Sequence, residues 1–387
     1  MTDRSMPALA FLVANLAGGG LHYVYQVVAS RSLDKAAFSA FSFWLANISL
    51  GFVLASVAQY VGNFQPTSNG RLRSVAPTLG GAVVALSLLA VTGGGSSLAT
   101  LSALTILSAT VNGWLLGQAQ NRLLFYTLST ATFMVALCKL AVVWPSFWRA
   151  SSADLFYVAI VVSYAPSILF LAVRLGLSRG VPSPSAPVGG LAGALGAPLF
   201  LAAAAAAFPQ LDLIVVKATQ DAGTFQDFAR ASLFYKGLYF LFVILLQWML
   251  PYQVRSSSST VPRLNRSVPV AISIASSALV AFVAPTVASL VMRWPDAPPR
   301  TMIFLSCCNV CLLSWILFLM QEASAHGRSG HAMALLGSVG VAYAVVWTLS
   351  PALAVYFAIT IAANCTTIAI YLARSRDIAP LELSEIG

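Results

Sequence analysis

Apolar residues run through this chain in blocks long enough to cross a bilayer, with few charges inside them. A helix needs about 20 apolar residues to span the hydrocarbon core. The pattern predicts twelve such helices, with the division between the last two at Ser350-Pro351. The predicted spans lie at about 7–30, 37–60, 75–95, 97–118, 123–144, 154–177, 191–217, 227–251, 268–292, 300–320, 331–350 and 351–372.

Six spans fall on each side of a Pro/Gly/Ser-rich stretch, which predicts two lobes. Residues 1–180 would form an N-terminal lobe, 181–190 a linker and 191–373 a C-terminal lobe, with 374–387 as a tail. The predicted fold class is an all-α integral membrane protein of about twelve helices in two six-helix lobes.

Composition supports the membrane assignment. Apolar residues make up 59% of the 387, charged residues 8%, and the mean hydropathy is +0.84. A soluble domain carries about 25% charged residues. The longest connections, 178–190 and 252–267, are Ser/Pro/Arg-rich and predict flexible linkers without a core. We therefore expect no soluble catalytic domain, no cofactor and no enzyme activity. The amino terminus predicts a retained first helix, because its apolar run is too long for a signal peptide.

Lysine and arginine predict the orientation. Twelve lie at the amino terminus, in the even-numbered connections and in the tail, against five in the odd-numbered connections. Under the positive-inside rule both termini are cytoplasmic. The net charge of +10 is therefore mainly a topology signal, and we expect no nucleic-acid partner, since no basic cluster lies on a sizeable soluble surface.

The two halves share a short repeat at an offset of 187 residues. Residues 28–41 (VASRSLDKAAFSAF) align with 215–228 (VVKATQDAGTFQDF), which matches Asp34 with Asp221 and Phe41 with Phe228. Because six is even, the two halves would have the same orientation in the membrane.

Five charged residues lie inside predicted spans or at their ends. A charge within a span costs several kcal/mol unless it is paired or hydrated, so it often marks a binding site or pathway. Bases outnumber the single acid, which indicates a negatively charged cargo. The five are Lys139, Asp212, Lys217, Arg230 and Lys236.

The openings of the two halves resemble the multidrug/oligosaccharidyl-lipid/polysaccharide (MOP) exporter superfamily. The resemblance rests on residues 25–44 and on 211–251, which contains the runs LDLIV (211–215) and AGTF (222–225) and ends at Pro251. Twelve spans with both termini inside resemble its O-antigen and polysaccharide flippase branch, the Wzx type.

The resemblance implies two six-helix lobes around a cavity and transport by alternating access. Its cargo would be a polyprenyl-pyrophosphate-linked oligosaccharide, moved across a bacterial inner membrane without bond breaking. A basic cavity would replace the water and counterions that the pyrophosphate loses. Lys139, Lys217, Arg230 and Lys236 are the candidate contacts with this cargo. Partnership with polysaccharide polymerase and ligase enzymes stays open.

The lysines also have a purely structural interpretation. Lys139 and Lys217 lie near the outer ends of their spans, where an ammonium group can snorkel to the interface. Lys236 lies about nine residues into its span, or about 13 Å at 1.5 Å per residue. Snorkelling is difficult from there, which favours a cavity role for Lys236.

The remaining two charges leave alternatives open. Arg230 is either a cargo contact or a structural partner of Asp227 or Asp212. Asp212 is either a proton or cation-coupling site or the salt-bridge partner of Lys236 or Arg230.

Other polar residues within the spans indicate less. His22 is interpreted as a hydrogen-bonded interior histidine following three glycines. The five cysteines are interpreted as packing residues, because the CxxC at 308–311 has no second ligand pair, and we expect no metal site. Eight amides are candidate cavity or interhelix groups: Asn15, Gln26, Asn47, Gln59, Asn112, Gln247, Asn309 and Asn364.

Four other functions compete with the oligosaccharide flippase. A drug or cation antiporter of the same superfamily would share the fold but commonly carries an acid in the first lobe. A lipid II flippase would more often have fourteen spans and basic residues inside the first lobe, and we expect neither here. An intramembrane polymerase or acyltransferase would be expected to show a large outer loop or an embedded His–acid pair. A structural scaffold would not need buried lysines.

Overall fold

The helices of the protein follow its apolar blocks, because a helix satisfies its backbone hydrogen bonds internally, as hydrocarbon requires. The computed structural model describes residues 5–64, 96–122, 124–149, 152–177, 191–255, 267–325 and 328–374. Within these ranges every regular element is a helix. They are α1 (Ser5–Ser32), α2 (Lys35–Phe64), α3 (Ser96–Asn121), α4 (Phe125–Val143), a short 3₁₀ helix (Trp144–Phe147), α5 (Ala153–Leu177), α6 (Leu191–Thr219), α7 (Ala222–Arg255), α8 (Ser267–Leu290), α9 (Arg300–Ala325), α10 (Ser329–Leu349) and α11 (Leu353–Arg374).

The all-α membrane fold predicted from the sequence is confirmed. Nine of the eleven α-helices described are long and apolar enough to span a membrane, and their ends lie within a few residues of the predicted boundaries. The predicted span 75–95, the linker 181–190 and the tail after Arg374 lie outside the described residues.

The chain divides into two units. The first comprises residues 1–207 with 291–294, and the second comprises 208–290 with 295–387. The boundary falls inside α6, at Ala207, so the first part of this helix belongs to one unit and the rest to the other.

Four helix pairs of the first unit have counterparts in the second. In the first unit α3 packs against α2, α4 and α5, and α4 packs against α5. In the second unit α9 packs against α7, α10 and α11, and α10 packs against α11. The helix α9 also packs against α8 and is the most enclosed, with 89% of its apolar window buried. A polar residue on α9 therefore needs a protein partner.

The turn before the second helix of each repeat is built in the same way. Asp34 caps α2 by accepting a hydrogen bond from the Ala37 amide at 2.8 Å, and Asp221 caps α7 by accepting one from the Thr224 amide at 3.0 Å. The Thr224 hydroxyl also donates to Asp221, and these bonds lower the pKa of the Asp221 carboxyl. Asp221 follows Asp34 by 187 residues, and Thr224 follows Ala37 by the same offset, which confirms the predicted repeat at this turn.

The division between the last two helices is confirmed at Ser350. This residue ends α10 in the left-handed conformation, with φ at 43°, and its amide donates to the Val346 carbonyl at 3.0 Å. Pro351 follows and has no amide hydrogen with which to continue the helix.

Two glycines allow α2 and α3 to approach closely. A Cβ atom at Gly113 would lie 2.3 Å from the Ala55 carbonyl oxygen, and one at Gly62 would lie 2.5 Å from the Trp114 carbonyl oxygen. Both obstacles are backbone atoms, which cannot rotate aside. Only a hydrogen atom fits at these positions, as in other tightly packed membrane helices.

We expect Gly113→Ala to lower the thermal unfolding midpoint of the detergent-solubilised protein, because its Cβ must push α2 away. The loss should be about 1–3 kcal/mol, as for overpacking of a core. The control is Gly340→Ala, also within a helix, whose Cβ would meet nothing within 4 Å. Equal unfolding temperatures for the two variants would contradict the close packing of α2 against α3 at Gly113.

Candidate functional site

Asp212 is a carboxylate buried inside a membrane-spanning helix. It lies on α6, in the apolar span Phe200–Thr219, and its side chain is 1% exposed. Its oxygen atoms cannot rely on bulk water at that position, so they require donors from other helices.

Three side chains on three other helices supply those donors. The Tyr343 hydroxyl on α10 donates to Asp212 Oδ1 at 2.6 Å, and the Tyr356 hydroxyl on α11 donates to the same oxygen at 2.5 Å. Asn309 Nδ2 on α9 lies 2.9 Å from Oδ1 and 3.0 Å from Oδ2. One carboxylate thus connects four helices of the second unit.

A second layer of hydrogen bonds orients Asn309. Asn364 Nδ2 donates to Asn309 Oδ1 at 2.9 Å, and Asn309 Nδ2 also donates to the Tyr343 hydroxyl at 2.9 Å. The donors therefore point in one direction, from α11 through Asn309 to Asp212. Asn364 Oδ1 is buried without a hydrogen-bond partner among the described residues.

The chemistry of this cluster suits a proton or a hard monovalent cation. Its one charged group is a carboxylate that accepts hydrogen bonds from two tyrosine hydroxyls and an amide nitrogen, and carboxylate oxygens are ligands that hard cations prefer. The buried Asn364 Oδ1 adds an acceptor with no donor of its own. In the described part of the chain no three His, Cys, Asp or Glu residues gather as they would around a metal ion. All five cysteines are free thiols.

The salt bridge proposed for Asp212 is not formed. Among the described residues its partners are tyrosine and asparagine, not Lys236 or Arg230. Arg230 is buried and its Nη1 donates instead to the Asp296 carbonyl oxygen at 3.3 Å. Of the two alternatives for Asp212, only the proton or cation site remains as an expectation.

Lys236 is buried on α7, with 1% of its side chain exposed. No hydrogen bond or ion pair to its ammonium group occurs within the described residues. Lys217 is different, because it is exposed near the end of α6 and its ammonium lies 4.7 Å from the centre of the Phe225 ring. That position agrees with the snorkelling interpretation of Lys217.

Lys139 lies in the first unit, apart from the other four charges. It is on α4 and 4% exposed. Its ammonium makes a close hydrogen bond with His22 Nδ1 on α1 and lies 4.9 Å from the centre of the Tyr25 ring. The Tyr25 hydroxyl donates to the Phe156 carbonyl oxygen at 2.6 Å. Because it is buried inside the unit, Lys139 does not snorkel to the surface, and the expectation that the first lobe has no basic residue inside it is wrong.

The sites in the two units occupy matching positions. The offset of 187 residues takes Tyr25 to Asp212. The bends before α4 and α10 match at an offset of 204, since the Leu124 amide donates to Ala119 and the Arg328 amide to Ala323. In sequence, that offset aligns Lys139 with Tyr343.

The last helices of the two units match at an offset of 200. Phe41 contacts Tyr157 with ring centres 5.8 Å apart, and Phe228 contacts Phe357 at 6.1 Å. The same offset takes Phe156 to Tyr356. In sequence, Tyr25 thus corresponds to Asp212, Lys139 to Tyr343, and Phe156 to Tyr356.

Sequence reasoning missed Tyr343 and Tyr356 and left Asn309 and Asn364 among eight candidate amides. The sequence did contain a signal for the tyrosines. An offset of 204 residues aligns Lys139 with Tyr343, and an offset of 200 aligns Phe156 with Tyr356. The offsets change where the connections differ in length, which hid the alignment.

Solved transporter structures match the fold over nearly the whole chain. A variant of the Vibrio cholerae MATE transporter VcmN has a TM-score of 0.56, with 15% identity and 96% of each chain covered. The eukaryotic MATE transporter AtDTX14 has a TM-score of 0.56, with 14% identity and 97% of this chain and 96% of that chain covered. A MOP superfamily transporter from Pyrococcus furiosus has a TM-score of 0.54, with 12% identity and coverages of 96% and 95%.

These likenesses establish the fold. The protein has the fold shared by MATE and other MOP superfamily transporters, as the resemblance in the sequence predicted. No protein-family model and no curated protein matches the sequence.

We expect Tyr343→Phe and Tyr356→Phe to lower stability by about 1–3 kcal/mol each, because each removes a donor to a buried carboxylate. Their effects should not add in the double variant, since both hydroxyls bond the same oxygen. Thermal unfolding in detergent would measure this, with Tyr126→Phe, an exposed tyrosine, as the control. Unchanged unfolding midpoints in both single variants would contradict the network.

Proposed function

We propose that this protein is a membrane transporter that moves a lipid-linked, negatively charged oligosaccharide across a bacterial inner membrane by alternating access. The observation that carries the proposal is Lys236, a basic residue buried on α7, inside the predicted span 227–251, with no hydrogen-bond or ion-pair partner among the described residues. An uncompensated buried charge is destabilising, so an anionic cargo gives it a physical reason to be present.

The proposed cargo is a polyprenyl-pyrophosphate-linked oligosaccharide. Its pyrophosphate carries the charge that hydrocarbon excludes, and a lysine or arginine can replace the hydrogen bonds it loses. Lys236 and Arg230 are the proposed contacts in the second unit and Lys139 in the first. Lys217 is a weaker candidate because its ammonium is exposed at a helix end.

The fold supports a transporter more than an intramembrane polymerase or acyltransferase, since the three solved structures named above are all transporters. Transport of a preformed lipid-linked unit requires no covalent step and no cofactor. Polysaccharide polymerase and ligase enzymes are proposed partners, as consumers of a cargo delivered to the outer face.

Asp212 favours a second candidate, a cation-coupled antiporter of drugs or organic cations. A buried carboxylate whose neighbours are neutral hydroxyl and amide groups is a site that a proton or a monovalent cation can occupy in turn. The same site could couple ion entry to glycan transport. Asp212 therefore supports ion coupling for either cargo, whereas the buried lysines support the anionic one.

We expect Lys236→Ala to slow the flipping of a fluorescent polyprenyl-diphosphate oligosaccharide in proteoliposomes. Loss of one charge-assisted hydrogen bond, about 1.5–3 kcal/mol, corresponds to about tenfold or more. Lys236→Arg should retain part of the rate, since the charge persists in a different geometry. The protein should remain folded, because the substitution removes an unpaired charge.

Asp212→Ala combined with Lys236→Ala is the matched control. The two residues are not hydrogen-bonded to each other, so the double variant should not recover the flipping rate lost in Lys236→Ala. Recovery would show that Lys236 serves to neutralise Asp212 and would overturn its role in cargo binding. A wild-type flipping rate in Lys236→Ala would do the same.

Asp212→Asn separates the two candidate functions. It keeps the shape of the side chain and removes the charge, so we expect loss of any dependence of transport on a proton or sodium gradient. The measurement compares flipping of the fluorescent lipid-linked oligosaccharide with efflux of ethidium, each with and without a gradient. Gradient-driven ethidium efflux that requires Asp212, with no flipping, would replace the flippase by the antiporter.

A further inference from the structure

Two arginines meet at one end of the first unit. Arg31 lies near the end of α1, and its Nη1 donates to the Val291 carbonyl oxygen at 2.9 Å. Arg293 lies two residues beyond Val291, in the same unit, and its charge lies close enough to that of Arg31 for the two to repel each other. No ion pair to either guanidinium group occurs within the described residues. The pair therefore carries two positive charges that no described carboxylate compensates at salt-bridge distance.

The Arg31 guanidinium lies over an aromatic ring. Its central carbon is 3.9 Å from the centre of the Phe147 ring and 5.9 Å from the centre of the Trp148 ring. Such a cation–π contact fixes the position of a guanidinium group and leaves its edge open. Within the described part of the chain only one of its N–H donors is used, by the Val291 carbonyl oxygen. The other donors are open to an acceptor with several oxygen atoms.

Arg293 lies in a turn that is anchored on both sides. The Val291 carbonyl oxygen accepts the bond from Arg31, as described above. The Trp294 indole N–H donates to the Ser30 carbonyl oxygen at 2.8 Å. Between these anchors Arg293 is exposed and has a φ of 55°, in the left-handed region that favours glycine. A long charged side chain at such a position indicates a role for the side chain itself.

The arginine pair lies at the level of a membrane surface. The apolar span Phe125–Phe147 ends directly before Trp148, and the predicted span 7–30 ends directly before Arg31. The apolar span Ala271–Leu290 ends three residues before the second arginine. Trp148 is 66% exposed, and exposed tryptophans are typical of the interface between hydrocarbon and headgroups. The phosphate groups of phospholipids are therefore the nearest source of negative charge.

We propose that Arg31 and Arg293 bind the phosphate of an anionic phospholipid headgroup, with the exposed Trp148 ring among the neighbouring headgroups. This lipid is a neighbour of the protein in the bilayer and not its transported cargo, so the site does not depend on the proposed function. Under the predicted orientation the site faces the outer leaflet. Only five lysines and arginines lie in the connections on that side, and two of them meet here.

An anionic phosphodiester fits the pair in geometry and in charge. Its two unesterified oxygens can each accept hydrogen bonds from one guanidinium group. Its negative charge also reduces the repulsion between the two arginines. A phosphatidylcholine headgroup carries an ammonium group beside its phosphate and compensates the pair less. The site is therefore expected to prefer phosphatidylglycerol to phosphatidylcholine.

Binding is tested on the full chain in detergent, with dioctanoyl phosphatidylglycerol as the probe. The readout is the rise in thermal unfolding midpoint with lipid concentration, which gives Kd. We expect Arg31→Gln and Arg293→Gln each to weaken binding about three- to tenfold, because each removes one charge-assisted contact at a hydrated, partly screened surface. An unchanged Kd in either variant would overturn the paired site.

Arg174→Gln is the matched control. Arg174 is another exposed arginine of the first unit, and its guanidinium carbon lies 5.9 Å from the centre of the Phe170 ring. It lies near the end of α5, and no second arginine is recorded as repelling it. Its substitution should leave Kd for phosphatidylglycerol within about twofold of wild type. A loss as large as that in Arg31→Gln would mean that general surface charge binds the lipid, which would overturn the site.

A purely structural role for the bond between Arg31 and Val291 predicts a different pattern. Arg31→Gln would then lower the unfolding midpoint without lipid and leave the response to phosphatidylglycerol intact. That result would overturn the proposal. Normal unfolding without lipid together with a weakened response would support it.

Arg293→Gly separates lipid binding from folding. Glycine adopts the left-handed φ more readily than arginine does, so the midpoint without lipid should be unchanged or raised. The response to phosphatidylglycerol should nevertheless weaken as it does in Arg293→Gln. A full response in this variant would overturn the role of Arg293.

A soluble probe distinguishes the source of the phosphate. Glycerol 3-phosphate carries the phosphate group without acyl chains, and we expect it to bind more weakly than the lipid because it is not held at the membrane surface. Equal affinity for this probe, lost in the same arginine variants, would identify a site for soluble phosphates and overturn the lipid assignment. No shift that depends on Arg31 or Arg293 with either probe would overturn the site.

Discussion

Hydrocarbon supplies no hydrogen-bond donors, and the second unit is built around one carboxylate that needs them. Asp212 can be accommodated on α6 only if neighbouring helices bring polar hydrogens to it, and Tyr343, Tyr356 and Asn309 each come from a different helix. The same hydrogen bonds therefore join α6, α9, α10 and α11 and define the geometry of the candidate site. Asn364 extends it, because it fixes the orientation of the Asn309 amide.

The repeat places different residue types at matching positions of the two units. The two units share the same local geometry at three places: the capping aspartates, the bends before α4 and α10, and the aromatic contacts of Phe41 and Phe228. At the positions that this geometry brings together, the residue types differ, and with them the charge. Backbone packing decides where a site can lie, and side-chain chemistry decides what it can bind.

Hydropathy alone predicted the helices, because spanning a membrane requires both length and an apolar surface. The embedded charges were also visible, since few residues are so costly in a span. Their partners were not visible. Tyr356 meets Asp212 across 144 residues of sequence and Lys139 meets His22 across 117. A tyrosine in an apolar helix gives no sign of whether its hydroxyl faces a carboxylate or the membrane interface, so tertiary packing alone assigns it.

The difference between charges with and without hydrogen-bonding or ionic partners bears on how the proposed cargo would be released. Asp212 has neutral donors from its own unit, so the empty site is stable. Lys139 and Lys236 have no carboxylate partner among the described residues, so their charge is best compensated when an anion is bound. A ligand that supplies missing compensation stabilises the conformation that holds it and loses that advantage when the site opens to water. Under the proposed function, Lys139 and Lys236 therefore favour the loaded state, since no carboxylate among the described residues competes with the anionic cargo.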